Sequence, residues 1–147
     1  MTRRDPLDLE VITSLALLTT RFFADYEAAA GAHELSGAQA RLLALVATEP
    51  RPMNRLALML HCEPSNITGL VDRLERHGLV ERRADPQDRR VKVIAPTAAG
   101  LELAARVRAD LSFAAEPLAG LARTERVQLR DLLRKMMPDE DMSARTA

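Results

Sequence analysis

The sequence predicts a mainly α-helical fold with one small β-hairpin, flanked at both ends by amphipathic helices. Three observations predict it. Apolar residues recur at three- and four-residue spacing through most of the 147 positions. Between Leu79 and Ala95 that rhythm gives way to two short runs on either side of the turn Asp85-Pro86-Gln87-Asp88. The terminal helices also carry more apolar surface than a small helix-and-hairpin unit can cover, which points to a bundle formed between subunits.

Asp5 and Pro6 open the first helix: Asp caps, Pro is tolerated at the first helical position, and Asp8 suits the positive end of the helix. Val11, Leu15, Leu18, Phe22 and Tyr26 share a face that is expected to be buried, and Gly31 is the expected stop. Ser36 and Gln39 form a capping box for a second helix carrying Leu42, Leu43 and Val46, which ends before Pro50. A short third helix covers roughly residues 54–60. The fourth begins at Pro64 with Glu63 as its cap, and its Ile67, Leu70, Val71 and Leu74 cluster on one side. The opposite side holds Ser65, Gly69, Asp72 and Arg76, flanked by Asn66, Thr68 and Arg73, and nothing large and apolar. Gly78 ends this helix.

Leu79 to Ala84 and Val91 to Ala95 form the hairpin, with Val91, Val93 and Ala95 on one face. Thr97 caps a long fifth helix with Leu103, Val107 and Leu111 aligned, broken at Pro117. A last helix starts near Thr124 and carries Leu129, Leu132, Leu133 and Met136, and the polar tail from Pro138 is expected to fray. A helix–turn–helix followed at once by a hairpin is a winged helix-turn-helix. The expected division is an N-terminal dimerisation helix (1–35), a winged helix-turn-helix region (36–96), and C-terminal dimerisation helices with a polar tail (97–147).

Apolar residues make up 47% of the chain and charged residues 29%, a composition of folded rather than disordered protein. No apolar run is long enough to span a bilayer, and the opening MTRRDP lacks the hydrophobic stretch of a secretory signal. Cys62 is the only cysteine, so no disulfide framework forms within one chain, and a cytoplasmic location is expected. The formal net charge is zero. From Arg73 to Lys92, however, seven Arg or Lys face four Asp or Glu, a local surplus of three positive charges beside the hairpin.

Three stretches carry a resemblance to a known family: LSGAQARLLALV, then EPSNITGLVDRLERHGLVERRADPQDRRVKVIAPTAAG, then RTERVQLRDLLRKM. In these the chain resembles the MarR family (multiple-antibiotic-resistance regulators) of bacterial winged-helix transcription factors, over roughly residues 8–137. The resemblance implies a homodimer whose terminal helices intertwine and which binds a pseudo-palindromic double-stranded DNA operator. It implies a recognition helix in the major groove, a wing near the minor groove, and release of DNA by a small, often phenolic, effector. It implies no cofactor.

On this reading Ser65, Asn66, Thr68, Asp72, Arg73 and Arg76 present groups suited to base edges and phosphates. Gly69 lets the helix sit deep, which would explain a residue that costs roughly 0.5–1 kcal/mol relative to Ala. Asp72 is the awkward member: either it accepts from a cytosine amino group or it braces a nearby Arg. Family wings carry an Asp-x-Arg signature, met here by Asp88 and Arg90, with Arg89 able to share the role. The physical logic is independent: a narrow minor groove draws in Arg, and a tethering carboxylate reduces the rotamer entropy lost on insertion.

The bland alternatives are a solvated helix face and a hairpin tip kept charged for edge protection. Phe22, Phe23 and Tyr26 are candidates for an effector pocket, against ordinary packing in the core or dimer interface. Cys62 is a candidate redox sensor, against a small core residue. His33, His61 and His77 show no ligand spacing, so no metal site is expected. No catalytic arrangement or phosphate loop marks an enzyme. A winged helix used only for protein contact remains the alternative. Such a face would more often expose aromatic anchors.

Overall fold

The computed structural model describes residues 5–113 and 116–137. The elements are α1 (Pro6–Gly31), α2 (Gly37–Thr48), β1 (Arg51–Pro52), α3 (Met53–Leu60), α4 (Pro64–Arg76), β2 (Val80–Ala84), β3 (Lys92–Pro96), α5 (Ala98–Asp110), α6 (Glu116–Ala119) and α7 (Arg123–Met136). Local chemistry sets the helix starts. Asp5 Oδ1 accepts from the Leu7 amide at 3.0 Å. Ser36 and Gln39 form the reciprocal box, Gln39 N donating to Ser36 Oγ at 3.2 Å and Ser36 N to Gln39 Oε1 at 2.8 Å. Glu63 precedes α4 without a side-chain capping bond, and Pro64 supplies the first-turn geometry instead.

The core sits where α2 meets α3, α4 and the sheet. Leu42, Leu43, Val46, Leu56, Ile67, Val71, Leu74 and Ile94 are essentially inaccessible. The strands form an antiparallel sheet in the order β1-β3-β2, with Arg82 opposite Ile94 and Ile94 opposite Arg51. β1, between Pro50 and α3, is a two-residue strand with no signal in the sequence pattern. Its pairing makes β3 central, so Val93, Ile94 and Ala95 are all buried and the expected alternation fails. Val91, expected to share a face with Val93 and Ala95, precedes the strand and is exposed.

Thr97 staples the start of α5 to the turn after α4. Its Oγ1 accepts from Gly100 N at 3.1 Å and donates to Gly78 O at 2.6 Å, while its amide donates to Leu79 O at 3.1 Å. A Cβ on Gly100 would lie 1.9 Å from that Leu79 oxygen, so only glycine fits. Gly78 closes the α4 end with φ +68°.

Two expectations are corrected within the single chain, for α1 and α5, while the last helix starts within a residue of its expected position. The α1 face is not buried: Val11 and Leu18 are exposed, Leu15, Phe22 and Tyr26 are half-buried, and only Ala29 and Ala30 of the helix are fully covered. The front of α1 outruns the core, which α2 and α5 cover only near its end. Helix α5 stops at Asp110, not at Pro117. Asp25 on α1 captures the next backbone, accepting from Phe113 N at 2.7 Å and Ser112 Oγ at 2.8 Å, and Pro117 falls inside the short α6. The last helix begins at Arg123, with Glu125 accepting from the Ala122 amide at 2.8 Å. It buries no residue of its own, leaving Val127, Leu129, Leu132, Leu133 and Met136 exposed. The polar tail from Pro138 lies outside the described residues. Among the described residues no helix is long and apolar enough to cross a membrane.

Candidate nucleic-acid interface

Helix α4 buries Ile67, Val71 and Leu74 and turns its polar face outward. Ser65, Asn66, Thr68, Asp72, Arg73 and Arg76 are all exposed, and Gly69 between them is half-buried. A Cβ on Gly69 would meet no atom within 4 Å, so packing inside the chain does not demand glycine there. Thr68 Oγ1 donates to Pro64 O at 3.1 Å, leaving its lone pairs outward, and Arg76 Nε donates to Asp72 O at a long 3.4 Å.

Asp72 braces an arginine in this structure. Its Oδ1 lies 2.5 Å from Arg82 Nη2, and Arg82 Nη1 also meets Glu75 Oε2. The bond from Asp72, then the nearby carboxylate charges, raise the Arg82 pKa against a desolvation cost. Arg82 and Glu75 enter the sequence pattern only as members of the charged stretch from Arg73 to Lys92. The available signal was the i, i+3 carboxylate pair on α4 followed by an arginine on the next strand.

The wing is built by local hydrogen bonds. Asp85 N donates to Val91 O and Val91 N to Asp88 O, both at 2.9 Å, and the Asp85 carboxylate takes Gln87 N at 2.8 Å. Asp88 holds Arg90 by a fork: Arg90 Nε to Oδ1 at 3.1 Å and Nη2 to Oδ2 at 3.2 Å, with the Arg90 amide on Oδ1 as well. The Arg90 side chain is nonetheless 91% exposed, so it is aimed without being covered. The Arg90 guanidinium, and then its amide, hold the Asp88 carboxyl below its usual range. Arg89 beside it is also exposed.

The aromatic candidates separate. Phe22 packs edge-on to Tyr26 at 4.9 Å and to Phe113 at 5.3 Å, and it lines an apolar cavity of about 400 Å³ with Leu15, Leu18, Phe113, Leu129 and Leu133. Phe23 and Tyr26 do not line that cavity. Phe23 carries the Arg41 guanidinium 4.3 Å above its ring, and Tyr26 is half-buried, its phenol pKa raised by desolvation against opposing charge from Arg108 and Arg41. Cys62 is half-buried against the core, its thiol donating to Leu60 O at 3.3 Å. His33 pairs with Asp110 at 2.8 Å, and His61 closes α3 in the left-handed region. Among the described residues no group of three His, Cys, Asp or Glu could hold a metal ion.

Comparison with known proteins agrees with this architecture. Residues 35–92 match the model of the MarR family. Among solved structures, a MarR-family transcriptional regulator from Rhodococcus sp. RHA1 is 27% identical with a TM-score of 0.74, over 91% of this chain and 97% of that one. A probable transcriptional regulator from Pseudomonas aeruginosa is 28% identical with a TM-score of 0.67, over 89% of this chain and 99% of that one. CouR from Rhodococcus jostii RHA1, bound to p-coumaroyl-CoA, is 27% identical with a TM-score of 0.74, over 90% and 92% of the two chains. No curated protein sequence matches. The matched segment spans α2 to the first residue of β3, and the shared fold extends over the helices on either side: residues 35–92 are similar to the MarR family, and the chain has the fold of MarR-family transcriptional regulators.

Proposed function

We propose that the protein is a homodimeric DNA-binding transcriptional regulator, a repressor that leaves its operator when a small molecule binds. The observation that carries this reading is the pairing of an outward polar helix face on α4 with a wing whose exposed Arg90 is pre-aimed by Asp88. Ser65, Asn66, Thr68, Arg73 and Arg76 would read base edges and phosphates in the major groove, with Gly69 allowing close approach. Arg90, with Arg89, would enter the minor groove. Asp72 acts through Arg82. The apolar seams of α1 and α7 support dimerisation by residues 1–35 and 97–147 around the 36–96 DNA-binding region. A two-fold dimer would set its two helices roughly 34–36 Å apart on successive major-groove faces.

The apolar cavity beside Phe22, and the p-coumaroyl-CoA bound to CouR, support an effector with an apolar body, a phenolic compound among the candidates. The effector would act by holding the two α4 helices at another spacing. The reading assigns no catalysis and puts the protein in the cytoplasm, with the DNA.

The test is binding to a labelled duplex from upstream of its own or a neighbouring gene. Affinity is expected to fall steeply with added salt, as phosphate contacts release counterions. Light scattering should give twice the chain mass. A dimer with no salt-dependent affinity for such DNA would sink the proposal, and Leu132→Asp, placed in the exposed α7 seam, should yield monomers that bind it poorly.

A further inference from the structure

Asp72 and Glu75 put two carboxylates on the helix whose remaining exposed groups suit DNA, and both lean on a single cation from the wing strand. Arg82 stands on β2 opposite Ile94, on the side of the sheet that meets α4. Its guanidinium is the most covered of the three groups: the side chain is 32% exposed, against 51% for Asp72 and 40% for Glu75. Arg83, the next residue, points to the other side and has only a 3.9 Å contact with Glu81. Arg82 is itself exposed, but its guanidinium is held by two carboxylates of α4.

This geometry has two electrostatic consequences. Uncompensated, two carboxylates on α4 would repel the phosphates the helix must approach. An arginine forked between both of them has one N–H of each terminal nitrogen engaged and cannot swing outward without breaking two charge-assisted bonds. We propose that Arg82 is the counter-ion of the recognition helix: it masks Asp72 and Glu75 so that α4 can dock, and it makes no contact with DNA itself. This rests on the DNA-binding reading above. The clasp also ties β2 to α4, so the wing and the helix approach DNA as one body.

A mutant cycle tests it, read by fluorescence anisotropy on a labelled duplex spanning the region upstream of the protein's own gene. In the native background Arg82→Ala is expected to weaken binding about tenfold. In the Asp72→Asn, Glu75→Gln background the same change is expected to cost less than about twofold, because nothing is left to mask. Equal losses in the two backgrounds would overturn the proposal and make Arg82 a direct DNA contact, and undiminished binding by Arg82→Ala would overturn it as well. Circular dichroism monitors folding, and Arg82→Gln, which keeps much of the side-chain stem, runs through the same cycle if the alanine variant does not fold. Failure of the native protein to bind would remove the DNA reading and this role with it. Native binding with equal losses would remove this role alone.

Discussion

Replacing Gly69 by Ala should move stability and recognition in opposite directions. Gly69 lies inside α4, and a Cβ built there finds open space within 4 Å. Nothing in the chain therefore opposes the methyl, and the helix interior favours Ala over Gly by about 0.5–1 kcal/mol. At about 2–4 °C per kcal/mol for a chain of this size, the unfolding midpoint should rise by about 1–4 °C. The same methyl would project from the face that holds Ser65, Asp72 and Arg76. If that face packs closely into a major groove, overpacking costs about 1–3 kcal/mol. That corresponds to roughly 5- to 150-fold weaker binding. Thermal melting by circular dichroism and anisotropy on the operator at fixed salt measure the two effects on one preparation. A general folding defect would lower both quantities together. A raised midpoint with undiminished operator affinity would refute the argument that α4 approaches DNA closely at residue 69.

Other outcomes follow from the same geometry. Gly100→Ala forces a Cβ against the Leu79 backbone oxygen and should destabilise by at least about 1–3 kcal/mol in a thermal melt; Gly37→Ala, which meets only the flexible end of Glu27, is the milder control. Asp88→Ala raises the local positive charge yet should weaken specific operator binding, because Arg90 loses its fork; tighter binding would mean that charge alone explains the wing. The Phe113 amide holds the Asp25 carboxyl below the usual aspartate range, outweighing the cost of burial. A depressed folded pKa means the tether stabilises fully above the unfolded value and is lost as pH falls through the folded one. Asp25→Ala should therefore flatten the acid limb of the stability–pH curve below about pH 4 and leave the difference between pH 6 and 8 unchanged.

What could be read from sequence was whatever local chemistry decides. The Ser36–Gln39 box, the Thr97 cap, the Gly78 stop and the buried stripe Ile67, Val71, Leu74 depend on neighbours a few residues away, and all appear as expected. The Asp88–Arg90 fork was legible for the same reason, two residues apart on one turn. What was missed depends on distant partners. Strand β1 exists because Arg51 and Pro52 find Ile94 and Val93, which no local pattern announces. The end of α5 is set by Asp25, far back on α1. Arg82 looked like one more basic residue in a charged hairpin until α4 and β2 were side by side. Of the three aromatic pocket candidates only Phe22 lines the cavity, because successive positions on a helix diverge and Phe23 turns to Arg41.

On the dimer reading, the bare seam of α7 would link the amount of this protein to its integrity. The helix has 14 residues and buries none of them. A helix that short is marginal in water by itself. On the dimer reading its order comes from the second copy, so it depends on concentration by mass action. Chains present below the dissociation constant of the dimer would carry α7 as their least protected segment. Proteases would then act first on unpaired copies, and the standing level of the regulator would be held near its own pairing threshold.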